Sequence, residues 1–270
     1  MSMKPVRVVE PTETPIGAPY LALSHCWGTT PFLTNTLSTY AQLKTSIPLR
    51  TLPPNFRDAI FTSRRLGFRY IWIDSLCIIQ DSPTDWDAEA PLMHHIYQNA
   101  FLSLAAVGSS DAYGGFFYAR DPLLTGAHRL PDSSIAVRDD LWLIDFLEEP
   151  LNQRAWALQE RLLAPRTVYF GRNQLFWECR AMEAYWGEQV TGEWGGTPYD
   201  HWDLILQQYT ACHLTKGKDK FVALSGVVKE FERILRDKYL AGLWEGNFVN
   251  GLLCTAGRRL PSSFVELGFD

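Results

Sequence analysis

Arg69-Tyr-Ile-Trp-Ile-Asp-Ser-Leu-Cys-Ile-Ile-Gln-Asp81, RYIWIDSLCIIQD, decides how the chain is read. Its first half has the β-branched and aromatic content of a buried strand. Its second half carries Asp74, Ser75, Cys77 and Gln80. Short polar side chains at a strand end either cap the following turn through side chain–backbone hydrogen bonds or line a site. A strand is predicted over 69–79, with both roles open to its polar tail.

The pattern repeats on both sides. Tyr20-Leu-Ala-Leu-Ser24 is a short apolar run that ends in His25-Cys26-Trp27-Gly28, a strand followed by a glycine turn. A helix is predicted over 55–66, with Asn55 or a near neighbour as its cap and Gly67 as its stop. A second helix opens at 82, where Ser82 or Thr84 can cap it and acidic residues occupy the first turn. Pro91 lacks an amide hydrogen, so the helix kinks there or restarts with Pro91 in its first turn. Phe101–Val107 is a third strand. Strand–helix–strand–helix–strand is the grammar of an α/β layer with a parallel sheet.

The second half is less regular. A loop-rich stretch over 108–150 precedes a helix at 151–160. Residues 167–170 and 174–179 form an antiparallel hairpin around Gly171-Arg-Asn173. A Gly/Trp-rich loop at 183–200 leads to helices at about 201–211 and 219–236.

Composition narrows the function classes. The chain has 270 residues, 46% of them hydrophobic, which suffices for one large core. Formal net charge is −5, so no basic excess points to nucleic acid. No run of about 18 apolar residues points to a membrane span, and the N-terminus has no apolar signal core. Five cysteines, Cys26, Cys77, Cys179, Cys212 and Cys254, include no CxxC pair and read as free thiols of a reducing compartment. The expected location is cytoplasmic. His94-His95 are adjacent on a helix and make a poor metal pair. No GxGxxG, Walker or G-x-S-x-G motif is present, so a dehydrogenase is disfavoured and no metal or resident cofactor is expected.

Four ordered motifs, YLALSHCWG from residue 20, RYIWIDSLCIIQD, W86..E89...M93..IY97..A100, and R154AW156ALQER161LL, resemble the heterokaryon-incompatibility (HET) domain of filamentous fungi. The resemblance covers about residues 20–180, between a lead-in at 1–19 and a C-terminal helical extension at 181–270. Asp219–Gly226 and Tyr239–Trp244 resemble segments C-terminal to the domain in longer members, against which this chain is short. The resemblance implies a flavodoxin/TIR-like parallel sheet core with an additional α+β C-terminal part. It also implies a part in non-self recognition and cell death, and cleavage of NAD as substrate with a helix glutamate as the key residue.

In open α/β sheets, ligands bind outside the carboxyl ends of the strands. The first strand supplies Ser24, His25, Trp27 and Gly28, the second Asp74, Ser75 and Cys77, and the helix after it Trp86 and Glu89. Cleaving the nicotinamide–ribose bond passes through an oxocarbenium-like state and releases neutral nicotinamide, so one carboxylate suffices. Glu89 is the candidate and Asp74 the reserve. Trp27 or Trp86 can stack on a base, Gly28 can admit a phosphate, His25 can bond one, and Arg154 can pair a phosphate or Glu89.

Each residue has a structural alternative. Glu89 fits a solvated first helical turn, Asp74 and Ser75 fit turn capping, and Cys77 fits an inert buried thiol. Arg154, Gln159, Glu160 and Arg161 fit an ion-pair lattice bracing the hairpin. Three functions stay open: a NAD glycohydrolase with a dinucleotide ligand, a HET-like enzyme of small-molecule biosynthesis using acid/base catalysis, and a non-enzymatic signalling module that forms homo-oligomers.

Overall fold

The computed structural model describes residues 4–120, 128–129, 135–136, 146, 149–179, 197–214 and 217–252. Its centre is a five-stranded sheet: β1 (Tyr20–Ser24), β2 (Tyr70–Trp72), β3 (Leu102–Ala105), β4 (Arg166–Phe170) and β5 (Leu175–Cys179). The strand order is β2-β1-β3-β4-β5. The first four strands are parallel, with Leu21 opposite Ile71 and Leu102, and only β5 runs antiparallel. This is the flavodoxin-type α/β arrangement, with the topological switch between β1 and β3.

Helices cover both faces, which is why β1 reads as a continuous apolar run. Leu21 and Leu23 pack with Phe56, Ala59 and Phe116 on the face covered by α1 (Tyr40–Thr45) and α2 (Pro54–Arg65). Ala22 faces the opposite core with Tyr97, Leu158, Trp202 and Val227. That core joins α5 (Met93–Asn99) and α6 (Ala155–Leu163) to α7 (Pro198–Ala211) and α8 (Ser225–Leu235), so the last two helices pack on the sheet layer itself.

Three boundaries differ from the sequence expectation. The strand expected over 69–79 stops at Trp72, and α3 (Asp74–Cys77) is a single helical turn. Asp74 drives the change, because its carboxylate accepts the Ser75 amide at 2.7 Å and the Cys77 amide bonds the Ile73 carbonyl at 2.8 Å. Local capping outweighs the β propensity of Ile78 and Ile79. At α2, Pro54 takes the first helical position with Pro53 before it. Asn55 instead ties a distant loop: it donates to the Asp111 carbonyl at 2.9 Å and accepts from the Gly115 amide at 2.6 Å. The helix predicted over 151–160 is broken in two at Arg154, which is extended between a 3-10 turn and α6.

Other expectations hold. Gly67 ends α2 with φ of +83°, and Ser82 caps α4 (Pro83–Glu89) by accepting the Asp85 amide at 3.2 Å. Pro91 sits in a 3-10 turn, Ala90–Leu92, that joins α4 to α5. The Gly/Trp-rich stretch at 183–200 lies outside the described residues up to 196.

Phe56 is wholly buried against β1. Phe56→Ala is expected to lower unfolding free energy by about 3–5 kcal/mol. Urea unfolding checks this, and a loss below about 1 kcal/mol would remove Phe56 from the centre of the core.

Candidate functional site

Ser24 ends β1 at the switch point, beside Ala105 of β3. Its hydroxyl donates to the Glu160 carboxylate, carried by α6 on the face of the sheet that Ala22 also faces. Glu160 is 6% exposed and Ser24 4%. Tyr97 of α5 completes the contact. Its hydroxyl donates to the Leu23 carbonyl at 3.0 Å and also faces Glu160. Burial is the main influence on Glu160 and raises its carboxyl to about 7, with Asp74 adding to the rise. Arg154, Ser24 and Tyr97 favour the charged form and limit the rise.

The break at Arg154 serves this cluster. Extended backbone there aims the guanidinium at the His25 carbonyl, to which it donates a hydrogen bond. The same residue is pinned in a bridge to His213, whose carbonyl accepts the Ala155 amide at 3.2 Å. Arg154 therefore serves as a cation beside Glu160, and hairpin bracing falls to its neighbour Arg161, which pairs with Glu178 at 2.7 Å. Gln159 goes elsewhere again and accepts the Gly226 amide at 2.8 Å.

The second strand end adds Asp74. Trp27 donates its indole N–H to Asp74 at 2.9 Å, and both side chains are partly exposed. His25 stacks beside Trp27 and packs edge-on against Phe56. Its Nδ1 lies 3.8 Å from Asp74, too far for a hydrogen bond. Burial is the main cause that lowers its pKa to about 4, so it is neutral at pH 7 and the contact is no ion pair. Among the described residues, the buried Nε2 has no hydrogen-bond partner. Gly28 is left-handed at φ +69°, and a Cβ there would meet the Asp111 Cβ at 2.3 Å. That close approach of loops is what the glycine permits.

Ser75 is fully buried and, among the described residues, its hydroxyl has no partner, while its amide donates to Asp74. Cys26 turns into a separate apolar cluster, away from the aromatic contacts of its neighbour His25. Burial pushes its thiol up to about 11 and that of Cys77 up to about 12, so neither is an activated nucleophile.

The structure thus brings together Ser24, His25, Trp27, Asp74 and Arg154. It places Glu89 elsewhere. Glu89 is half-buried at the end of α4, which also carries the half-buried Trp86. It lines a groove of about 1330 Å³ outside β2, together with Cys77. Ser24, His25, Trp27 and Asp74 do not line that groove. The residue that sequence reasoning sets aside is Glu160. One signal points to it: 155–158 and 162–163 are apolar nearly all round the helix, so polar residues between them must be buried.

Buried titrations give this cluster a pH signature. Glu160 has a folded pKa above the ordinary carboxyl value. It contributes stability that is complete below about 4.5 and lost as pH rises through about 7. His25 has a folded pKa below the ordinary value. It contributes stability that is complete above 6.5 and lost as pH falls through about 4. The two slopes oppose each other between 4.5 and 6.5. Glu160→Gln is therefore expected to gain on the native protein as pH rises from 4.5 to 7, by at most about 1.4 kcal/mol per pH unit. Urea unfolding across that range checks it; a difference that does not change with pH would mean Glu160 titrates normally.

Among the described residues, no helix is long and apolar enough to cross a membrane. No curated protein and no solved structure matches the chain. The profile of the family described as heterokaryon incompatibility protein (HET) matches residues 20–160, from the start of β1 to Glu160. That is just over half of the chain. The matched span holds all of the residues assembled around Ser24, and the chain belongs to the heterokaryon-incompatibility family.

Proposed function

We propose that this HET protein acts in fungal non-self recognition as a TIR-like NAD glycohydrolase, with Glu160 as the carboxylate that stabilises the reacting ribose. One observation carries the reading: a desolvated carboxylate stands at the carboxyl end of β1, beside an arginine, at the topological switch point. Such a group is positioned before the reaction, so it stabilises a developing cation without reorganising.

In this reading, Trp27, Asp74 and Arg154 form the solvent side of the site. Trp27 stacks on the nicotinamide or adenine ring, and Arg154 meets the pyrophosphate. A ribose hydroxyl takes the place of the Ser24 hydroxyl as donor to Glu160. The C–N bond then breaks, its electron pair leaves with nicotinamide, and the ribose cation faces the Glu160 carboxylate until water adds. The ionised form of Glu160 is required, so the rate rises with pH through about 7. The helix glutamate expected from the resemblance becomes Glu160 in this reading, and Glu89 is the competing candidate.

The test is incubation of purified protein with NAD, following nicotinamide release, for the native chain, Glu160→Gln and Glu89→Ala. Expected are release by the native chain, a loss of at least 100-fold in Glu160→Gln, and near-native release in Glu89→Ala. The reverse order would move the role to Glu89. No release at high protein concentration, in monomer or assembly, would discard the glycohydrolase reading.

A further inference from the structure

β2 is the open side of the sheet. Among the described residues it pairs only with β1, and all three of its residues are half-buried, whereas β3 is buried throughout. Beyond it, the first described residues form a second wall. That wall is tied to α1 and the residues after it. Val6 and Ile47 are bridged, the Val8 amide bonds the Leu43 carbonyl at 2.9 Å, and Glu10 receives Lys44 at 2.8 Å. The groove of about 1330 Å³ lies between, with residues 5–11 on one side and 68–73 on the other.

Its inner end is acidic. Glu89 and Asp85 both line it. Burial, and then Asp85, raise the Glu89 carboxyl. Among the described residues the Glu89 carboxylate has no hydrogen bond and no ion pair, and Asp85 uses one oxygen to accept the Ile79 amide at 2.7 Å. The cations along the groove are engaged elsewhere. Arg7 pairs with Glu13, and Arg64 donates to the Lys4 carbonyl. Arg69 lies over the Tyr70 ring. Among the described residues, neither Glu89 nor Asp85 has an ion-pair partner.

We propose that this groove is a docking site for an extended peptide, which adds a strand to the free edge of β2 and places a lysine or arginine against Glu89 and Asp85. Two independent features select this occupant. An edge strand presents unpaired backbone N–H and C=O groups, and strand addition satisfies them. The carboxylates then choose a basic side chain by charge complementarity. A strand rises about 3.3 Å per residue, so roughly six residues run the length of the wall at 68–73. A free organic cation would meet the carboxylates but leave the sheet edge unpaired. This proposal stands apart from the glycohydrolase reading, since the groove and the Glu160 cluster share none of Ser24, His25, Trp27 or Asp74.

The test uses the full chain against a positional-scanning set of labelled, acetylated hexapeptides, read by fluorescence polarisation. Expected is saturable binding with lysine or arginine preferred at one position by at least 10-fold over glutamine. Glu89→Gln should erase that preference, with its unfolding midpoint confirming the fold. N-methylation of the edge-facing amides in the best peptide should weaken binding at least 10-fold. Absence of saturable binding overturns the proposal, as does a basic preference that survives in Glu89→Gln. Indifference to N-methylation, with full competition by spermidine, would make the groove a cation site and overturn strand addition. Self-association of the native chain that blocks every peptide would assign the edge to a second copy and overturn it too.

Discussion

The contact between Ser24 and Glu160 sets the terms for the elements around it. A carboxylate removed from water must find donors or give up its charge. Ser24 comes from β1, Tyr97 from α5 and the neighbouring cation Arg154 from the break before α6. Three elements are thereby held to one another at the carboxyl end of the sheet. The extended conformation at Arg154 meets the same demand, because a continuous helix from 151 would carry that guanidinium off in another direction.

Asp74 plays two parts at the second strand end. One oxygen accepts the Ser75 amide in the first turn of α3, and the other accepts the Trp27 indole N–H. Capping and site formation are therefore not alternatives for this residue. The polar tail of RYIWIDSLCIIQD ends the strand early, and in doing so brings a carboxylate to Trp27 and to His25. The cysteine of the same stretch faces the outer groove and is buried enough to remain a thiol.

The chain has two acidic regions with different physics. Glu160 is enclosed and compensated by the Ser24 hydroxyl and a neighbouring cation. Glu89 is half-buried and uncompensated at the foot of an open groove. The first arrangement suits charge that develops during a reaction, and the second suits a counter-charge brought by a partner. Sequence motifs favour Glu89 for the reaction and leave Glu160 in an ion-pair lattice, because burial is not written in the local pattern.

The sequence alone determined the α/β alternation, because apolar runs punctuated by Gly67, Ser82 and the prolines report local preferences that the backbone obeys. Topology also put Ser24, His25, Trp27 and Asp74 at the ends of neighbouring parallel strands, where the Trp27–Asp74 contact forms, although the same logic grouped Glu89 with them and the structure does not. Other features were decided only in the tertiary structure. Strand β2 stops at Trp72 because Asp74 finds an amide one residue on and an indole 47 positions away. Asn55 leaves the cap to Pro53 and Pro54 because a loop 56 to 60 residues distant offers it better partners. Glu160 reaches Ser24 across 136 residues, and its burial and shifted protonation arise from that enclosure. Desolvation belongs to the packed surroundings and not to the residue, so no local pattern spells it out.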